Sequence, residues 1–158
     1  MKHSVKVGFS FGVTSGVITT LGLMVGLSAG THLKPAVIGG VVTIAIADSL
    51  SDALGIHVSE EAENKHTTKE VWESTLSTFF CKFAIASSFI IPILFLELDL
   101  AILANIVWGL SVLCVFSYSI AKEQGARTWS VVAEHFIIAV IVIIAAHYAG
   151  LAIEAFFS

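Results

Sequence analysis

The sequence predicts an all-α, polytopic membrane protein with five transmembrane helices. Hydrophobic residues make up 56% of the 158 residues and charged residues only 13%, whereas a soluble domain carries about a quarter charged residues. The mean hydropathy is +0.93. Five apolar runs are each long enough for a helix to cross a bilayer, which takes roughly 20 residues. They cover residues 7–29, 35–58, 74–96, 98–121 and 130–154.

Length identifies these runs as helices, because period alone does not separate a buried helix from a buried strand. Only helices and closed barrels satisfy the backbone in lipid. The first run is too long for the apolar part of a signal peptide, so we interpret it as a membrane helix. Pro92 is expected to kink the third helix. The whole chain, residues 1–158, is predicted to form one transmembrane domain.

The distribution of Lys and Arg predicts the orientation in the membrane. With the N-terminus inside, six basic residues fall in cytoplasmic segments and one, Lys34, falls outside. Because cytoplasmic loops carry an excess of positive charge, the N-terminus is predicted to be cytoplasmic and the C-terminus outside. The host is expected to be a cell membrane or a vacuole-type membrane. The six residues are Lys2, Lys6, Lys65, Lys69, Lys122 and Arg127.

Several functions are disfavoured by the sequence. There is no basic cluster for nucleic acid. Cys81 and Cys114 lie in apolar runs, without the spacing of a metal site or a disulfide framework. No nucleotide-binding motif and no nucleophile–base spacing occurs. We therefore expect neither an enzyme nor a permanently bound cofactor, and the bilayer itself is the first partner.

Two aspartates lie in the second run. Asp48 and Asp52 are four residues apart, so on a helix they share one face. Each costs roughly 2.5–3.5 kcal/mol at the middle of a membrane, which makes such residues candidates for a functional site. A metal ion, a proton, a cationic side chain or a water-filled cavity is expected to offset this cost.

The leading hypothesis is that Asp48 and Asp52 bind a divalent cation and pass it across the membrane. Carboxylate oxygens suit Mn²⁺ and tolerate Fe²⁺. Neighbouring carboxylates also favour a shared proton when no metal is bound. The chain would then be a metal-ion transporter that exchanges protons. Water, Ser49, Ser51 or a second copy of the helix would complete the ligands.

The alternative hypothesis is a membrane scaffold or accessory subunit that transports nothing. In it, Lys82 of the third run forms a structural salt bridge with Asp48 or Asp52. The lysine would otherwise extend toward the cytoplasmic surface, and the sequence leaves both arrangements open. A scaffold should tolerate exchanging the charges of an aspartate and Lys82, whereas a metal site should not.

Acidic residues follow the second run. Glu60 and Glu63 are predicted to belong to a cytoplasmic mouth that concentrates cations before entry and to contribute to metal binding. The alternative is a solvated helix end, because Lys65 and Lys69 are interleaved with the acidic residues.

The first run carries glycines that fall within a face about 120° wide at roughly 100° per residue. Such a stripe predicts close helix packing. Ser15 and Thr19 lie on the same face and are predicted to line a polar pathway with Ser49 and Ser51, although packing alone would explain the stripe. The glycines are Gly8, Gly12, Gly16, Gly22, Gly26 and Gly30.

Two segments have the pattern of a known family. Residues 15–17 (Ser-Gly-Val) precede a glycine-rich segment, Leu-Met-Val-Gly-Leu-Ser-Ala-Gly at 23–30. Residues 49–55 (Ser-Leu-Ser-Asp-Ala-Leu-Gly) run into the polar residues 59–63. This pattern resembles the vacuolar iron transporter family, and in particular its short nodulin-like branch, which lacks the cytoplasmic metal-binding helices.

The resemblance implies a homodimer that carries Fe²⁺ or Mn²⁺ out of the cytoplasm in exchange for protons, along the first two helices. Three family ligands differ here. The family's first-helix Asp is Ser15, its second-helix Met is Asp52, and a family Glu falls at Ile44. Asp48 has no counterpart in the pattern. Loss of the thioether favours Mn²⁺ over Fe²⁺.

Overall fold

The computed structural model describes residues 2–157, and within that range the chain forms α-helices and no strand. Five helical segments are long and apolar enough to cross a membrane. The predicted all-α fold with five spans is thereby confirmed, and the chain is a multi-pass membrane protein. The helices are α1 (His3–Thr31), α2 (Lys34–Glu63), α3 (Thr68–Ser88), α4 (Ile90–Phe95), α5 (Leu98–Glu123) and α6 (Thr128–Phe157).

Successive spans run in opposite directions, which gives the bundle two ends. The N-terminal end holds the start of α1 and the connections α2–α3 and α5–α6. The far end holds the connections α1–α2 and α4–α5. Among the described Lys and Arg residues near the helix ends, only Lys34 lies at the far end. Its ammonium donates to the Leu96 carbonyl at 2.9 Å.

The helices extend beyond the predicted apolar runs. The predicted second run stops at residue 58, whereas α2 continues to Glu63 and ends where Asn64 takes a left-handed φ of 51°. The next helix begins with a capping box, in which Thr67 and Glu70 each satisfy a backbone N–H of the other. Hydropathy marks the membrane-embedded part of a helix, while caps and turns determine its ends.

The third span is interrupted near its proline. Helix α3 ends at Ser88, Phe89 follows as a turn, and α4 begins at Ile90. Pro92 lacks the N–H that would bond the Ser88 carbonyl. The amide of Asn105 in α5 donates to the Phe89 carbonyl at 2.9 Å and so satisfies a backbone acceptor at the break.

Helix α1 is the central helix, because it packs against α2, α3, α5 and α6. Its glycine stripe faces different neighbours at its two ends. At the N-terminal end, a Cβ on Gly12 would lie 2.9 Å from the Thr78 carbonyl of α3. At the far end, a Cβ on Gly30 would lie 3.1 Å from the Gly150 carbonyl of α6. The stripe therefore brings α1 into close backbone contact with two helices.

Large apolar side chains lie on the outer surface of every span. Helix α6 is the clearest case, since only Ala139 and Gly150 are buried among its described residues. A helix that is apolar all round and still exposed is suited to lipid rather than water. The buried core lies among α1, α2 and α5 and includes Leu21, Val41 and Leu113.

Ion pairs tie α1 to its neighbours at the N-terminal end. The Lys2 ammonium lies 2.6 Å from a Glu73 carboxylate oxygen in α3. The Lys6 ammonium lies 2.7 Å from Glu123 at the end of α5. Exposed pairs of this kind contribute about 0–1 kcal/mol each, so they orient the end of the bundle more than they stabilise it.

Candidate functional site

One lysine lies between both intramembrane aspartates. Lys82, near the middle of α3, is fully buried. Its Nζ lies 2.5 Å from Asp48 Oδ2 and 2.5 Å from Asp52 Oδ2. It also donates to Ser15 Oγ at 2.9 Å, and the Ser15 hydroxyl in turn donates to Asp52 Oδ2 at 2.6 Å. We call these four side chains the ionic cluster.

The helices place these groups together for identifiable reasons. Asp48 and Asp52 are one turn apart on α2 and therefore point the same way. Gly16 lets α1 approach α3 closely, because a Cβ there would lie 3.2 Å from Ile85 Cγ2 and 3.4 Å from Lys82 Cγ. Close packing of α1 on α3 thus brings Ser15 to the ammonium. Lys82 does not extend to the cytoplasmic surface. Of the two arrangements that the sequence left open, the structure therefore contains the salt bridge with the aspartates.

The charges in the cluster do not cancel. Two carboxylates and one ammonium leave one negative charge in excess when all three are ionised. The Lys82 side chain is 1% exposed, whereas those of Asp48 and Asp52 are 30% and 20% exposed. Asp48 Oδ2 contacts the ammonium outside hydrogen-bond geometry and has no hydrogen-bond partner among the described residues. The carboxylates are therefore the more accessible part of the cluster, and Asp48 is hydrogen-bonded less completely than Asp52.

A groove on the flank of α2 opens onto this accessible part. Its volume is about 450 Å³, and we call it the side groove. Asp48 and Ser51 lie in its wall together with the Thr43 hydroxyl. Asp48 lies in the wall of this groove, whereas Lys82 does not line it. The lining residues are Leu23, Gly40, Thr43, Ile44, Ala47, Asp48 and Ser51.

The predicted pathway hydroxyls have different roles. Ser15 belongs to the ionic cluster and Ser51 lines the side groove. Thr19 donates to the Ser15 carbonyl at 2.8 Å, within its own helix. Ser49 is fully buried, and its hydroxyl has no hydrogen-bond partner within residues 2–157. Thr19 thus serves the backbone of α1, while the other three lie at or beside the aspartates.

Glu60 and Glu63 are not part of the same site. They lie two turns or more beyond Asp52 on α2, which is about 12 Å along the axis for Glu60. His66 Nε2 lies 3.4 Å from Glu60 and 3.9 Å from Glu63, which makes a separate cluster at the N-terminal end. Within residues 2–157 no three His, Cys, Asp or Glu side chains are placed to hold a metal ion together. The predicted four-carboxylate set is therefore divided between two places.

The sequence did not indicate a cavity at the far end. Its volume is about 200 Å³, and it is lined in part by His32, Asp99 and His147. We call it the far cavity. These side chains come from the end of α1, the start of α5 and the outer part of α6. No spacing within one segment connects them, so only the packing of three helices reveals them.

Comparison with known proteins leaves the family open. No family model matches the chain, and no curated protein matches it. The resemblance to the vacuolar iron transporter family therefore stays a prediction from residues 15–30 and 49–63.

Proposed function

We propose that this protein exchanges a divalent metal ion for protons across a membrane, with Asp48 and Asp52 as the ion ligands. The observation that carries the proposal is the unequal ionic cluster, in which two partly exposed carboxylates share one fully buried ammonium. A negative charge in excess is costly within a membrane. A proton or a cation that neutralises it is therefore bound favourably.

The ammonium of Lys82 acts in this scheme as a stand-in for the transported ion. It holds the carboxylates together when no metal ion is bound, so the empty site does not carry two unpaired charges. An entering divalent ion competes with the ammonium for the same oxygens. Exchange follows from this competition, because one proton together with the ammonium neutralises the two carboxylates in one state. In the other state the divalent ion neutralises them, and the ammonium moves out of contact with their oxygens.

The ligand atoms favour Mn²⁺ or Fe²⁺ as the substrate. The cluster and the side groove offer carboxylate and hydroxyl oxygens from Asp48, Asp52, Ser15 and Ser51. Oxygen ligands suit Mn²⁺ and accept Fe²⁺. We propose export from the cytoplasm, with the N-terminal end inside, on the basis of the charge asymmetry between the two ends. A homodimer is proposed on the family resemblance alone.

A second candidate function is supported by the same lysine. Because Lys82 contacts both aspartates, the cluster also fits a structural ion pair in a scaffold or accessory subunit. A buried pair of this kind fixes which helix faces meet, although it contributes little net stability. Under this proposal the groove has no ionic substrate.

Transport in reconstituted vesicles separates the two functions. Purified protein in liposomes is given Mn²⁺ or Fe²⁺ under an imposed proton gradient, and uptake is followed for the wild type and for Asp48→Asn with Asp52→Asn. We expect uptake by the wild type and its loss in the double variant, because amides do not neutralise a divalent ion. Glu97→Gln is the matched control, since it removes an exposed carboxylate at the far end.

The outcomes are distinct. Uptake that survives the double substitution would show that other residues bind the ion. Absence of uptake by the wild type, in vesicles shown to be sealed, would favour the scaffold. In that case exchanging the charges with Asp52→Lys and Lys82→Asp should preserve folding.

A further inference from the structure

A row of polar side chains runs through the bundle on a face of α1 that the ionic cluster does not use. Thr20, Met24 and Ser28 are each four residues apart, so they lie one above the other along the helix. Thr20 and Met24 are fully buried, and Ser28 is 9% exposed. With Asn105 of α5, which contacts Met24, they form what we call the polar file.

Asn105 is incompletely satisfied inside the bundle. Its amide Nδ2 donates to the Phe89 carbonyl at 2.9 Å and to Met24 Sδ at 3.1 Å. Its Oδ1 is buried and has no hydrogen-bond partner within residues 2–157. An amide oxygen accepts but does not donate. The missing partner is therefore a donor, and a water molecule supplies one.

The Thr20 hydroxyl also lacks a hydrogen-bond partner within residues 2–157. A threonine inside a helix ordinarily donates to the carbonyl four residues earlier, as Thr19 does. The Thr20 hydroxyl is fully buried and has no partner of any kind in the described part of the chain. Thr20 on α1 and Asn105 on α5 thus each carry an unsatisfied group, and Met24, one turn after Thr20, contacts Asn105. Such groups are unusual in an otherwise close-packed interior. Each of them offers a hydrogen-bonding position to water.

The polar file connects two places already described. Gly16, one turn before Thr20, lies against the stem of Lys82. Ser49, which follows Asp48 on α2, is another buried hydroxyl without a hydrogen-bond partner within residues 2–157. At the other end, Ser28 lines the far cavity with Asp99 and His32. Asn105 lies about 9 Å from Asp99 along α5, so α5 leads from Asn105 toward the far cavity.

We propose that the polar file holds a chain of water molecules that carries protons from the far cavity to the aspartates of the ionic cluster. The metal ion uses the side groove and the proton uses the file, so the two substrates approach the carboxylates from different sides. The proposal rests on the proposed exchange function and places the proton route within one protomer, between α1 and α5.

The proton transfer balances along the file. A proton from the far cavity bonds to the first water molecule, which releases one of its own protons to the next. The last water molecule releases a proton to an Asp52 or Asp48 oxygen, where an O–H bond forms. The carboxyl group becomes neutral, and its bond to the metal ion weakens as the ion leaves.

Met24 provides a built-in probe for water. Hydroxyl radicals produced by X-ray irradiation form from water molecules and oxidise a neighbouring thioether to the sulfoxide. The purified protein is irradiated, and the oxidation of Met24 is quantified by mass spectrometry. The matched control is Leu113→Met, a substitution of similar volume at a fully buried residue that belongs to the same hydrophobic core as Met24 but lies about 12 Å along α5 from Asn105. Exposed Trp129 reports the dose.

We expect oxidation of Met24 at a dose that leaves the methionine introduced by Leu113→Met intact. Protection of both thioethers would overturn the proposal, because the file would be dry. Oxidation of both would overturn it as well, since water would then have no preference for the file. Neither result depends on transport, so they stand even where the exchange function fails.

The role in proton movement is tested by removing one hydroxyl. Thr20→Val keeps the shape of the side chain and removes its hydroxyl. We expect proton-driven Mn²⁺ uptake to slow by about tenfold, because the rate-limiting proton transfer loses one stabilising hydrogen bond. Thr14→Val is the control, because Thr14 lies on another face of α1. Uptake at the wild-type rate in Thr20→Val would overturn the proton route while leaving the exchanger intact. If the wild type shows no uptake but Met24 is oxidised, the exchange function is refuted, whereas the presence of water in the polar file is supported.

Discussion

At the scale of single residues, Lys82 decides how the site is interpreted. Its ammonium has an ion contact to each of two aspartates and a hydrogen bond to Ser15. Removing one member of a buried ionic group leaves the others unpaired, which costs about 3–5 kcal/mol. A lysine that stands in for a transported ion has one further property, because the ion should be able to replace it.

Lys82→Met tests that property. The substitution keeps an unbranched side chain, one atom shorter, and removes the charge. The two carboxylates then repel each other, and the unfolding temperature should fall by several degrees. Adding Mn²⁺ should restore much of the lost stability, since the ion binds the folded state. Thermal unfolding in detergent, with and without the ion, measures both effects.

The control adds Asp48→Asn and Asp52→Asn to Lys82→Met. This triple variant has no charge left in the cluster, and Mn²⁺ should leave its unfolding temperature unchanged. Stabilisation of the triple variant would show that the ion binds elsewhere. A Lys82→Met variant that Mn²⁺ does not stabilise would support a purely structural ion pair.

How much of the site the sequence predicts depends on whether its residues share a segment. Asp48 and Asp52 were identified because a helix places residues four apart on one face. The position of Lys82 was left open, because the depth of one helix against another depends on packing that no single segment encodes. Asn105 illustrates the same limit, since its unsatisfied oxygen is evident only once Phe89 and Met24 are placed around it.

At the scale of elements, the glycines of α1 set the distance between helices. A Cβ on Gly12 would lie 2.9 Å from the Thr78 carbonyl and 3.0 Å from Cys81 Cβ. A larger side chain there forces α1 and α3 apart, which also moves Ser15 away from Lys82. The glycine stripe therefore supports the ionic cluster as well as the packing.

Gly12→Leu should lower the unfolding temperature in detergent by several degrees, because overpacking of a close contact costs about 1–3 kcal/mol or more. Gly39→Leu is the matched control, since a Cβ on Gly39 meets nothing within 4 Å. It should unfold near the wild-type temperature. Equal losses in both variants would mean that leucine lowers stability irrespective of the contact.

The elements themselves were predicted well from the sequence, and their ends less well. All five spans follow from the length of the apolar runs, because lipid leaves the backbone few alternatives. The ends depend on local hydrogen bonds, such as those of the Thr67–Glu70 capping box, which hydropathy does not describe. The break at Phe89 was expected from Pro92, but its exact position also depends on Asn105.

At the scale of the whole molecule, the two ends differ in their number of Lys and Arg residues, and this predicts the orientation. Six Lys and Arg residues belong to the N-terminal end and Lys34 to the far end. The positive-inside rule then predicts that the N-terminal end faces the cytoplasm. The far cavity, with His32 and His147, would open to the outside.

Single cysteines test this orientation in intact cells. In a background with Cys81→Ala and Cys114→Ala, a membrane-impermeant maleimide should label Leu33→Cys from outside. It should label Lys65→Cys only after the cells are opened. Both residues are exposed, and they lie at opposite ends of α2. The reverse pattern of labelling would invert the proposed direction of transport.

The contact between α1 and α6 has a consequence for how the chain is assembled during synthesis. The close approach of Gly30 to Gly150 joins the first helix made to one that leaves the ribosome more than a hundred residues later. Until then the glycine surface of α1 near Gly26 and Gly30 lacks its partner. The bundle is therefore completed only when α6 enters the membrane.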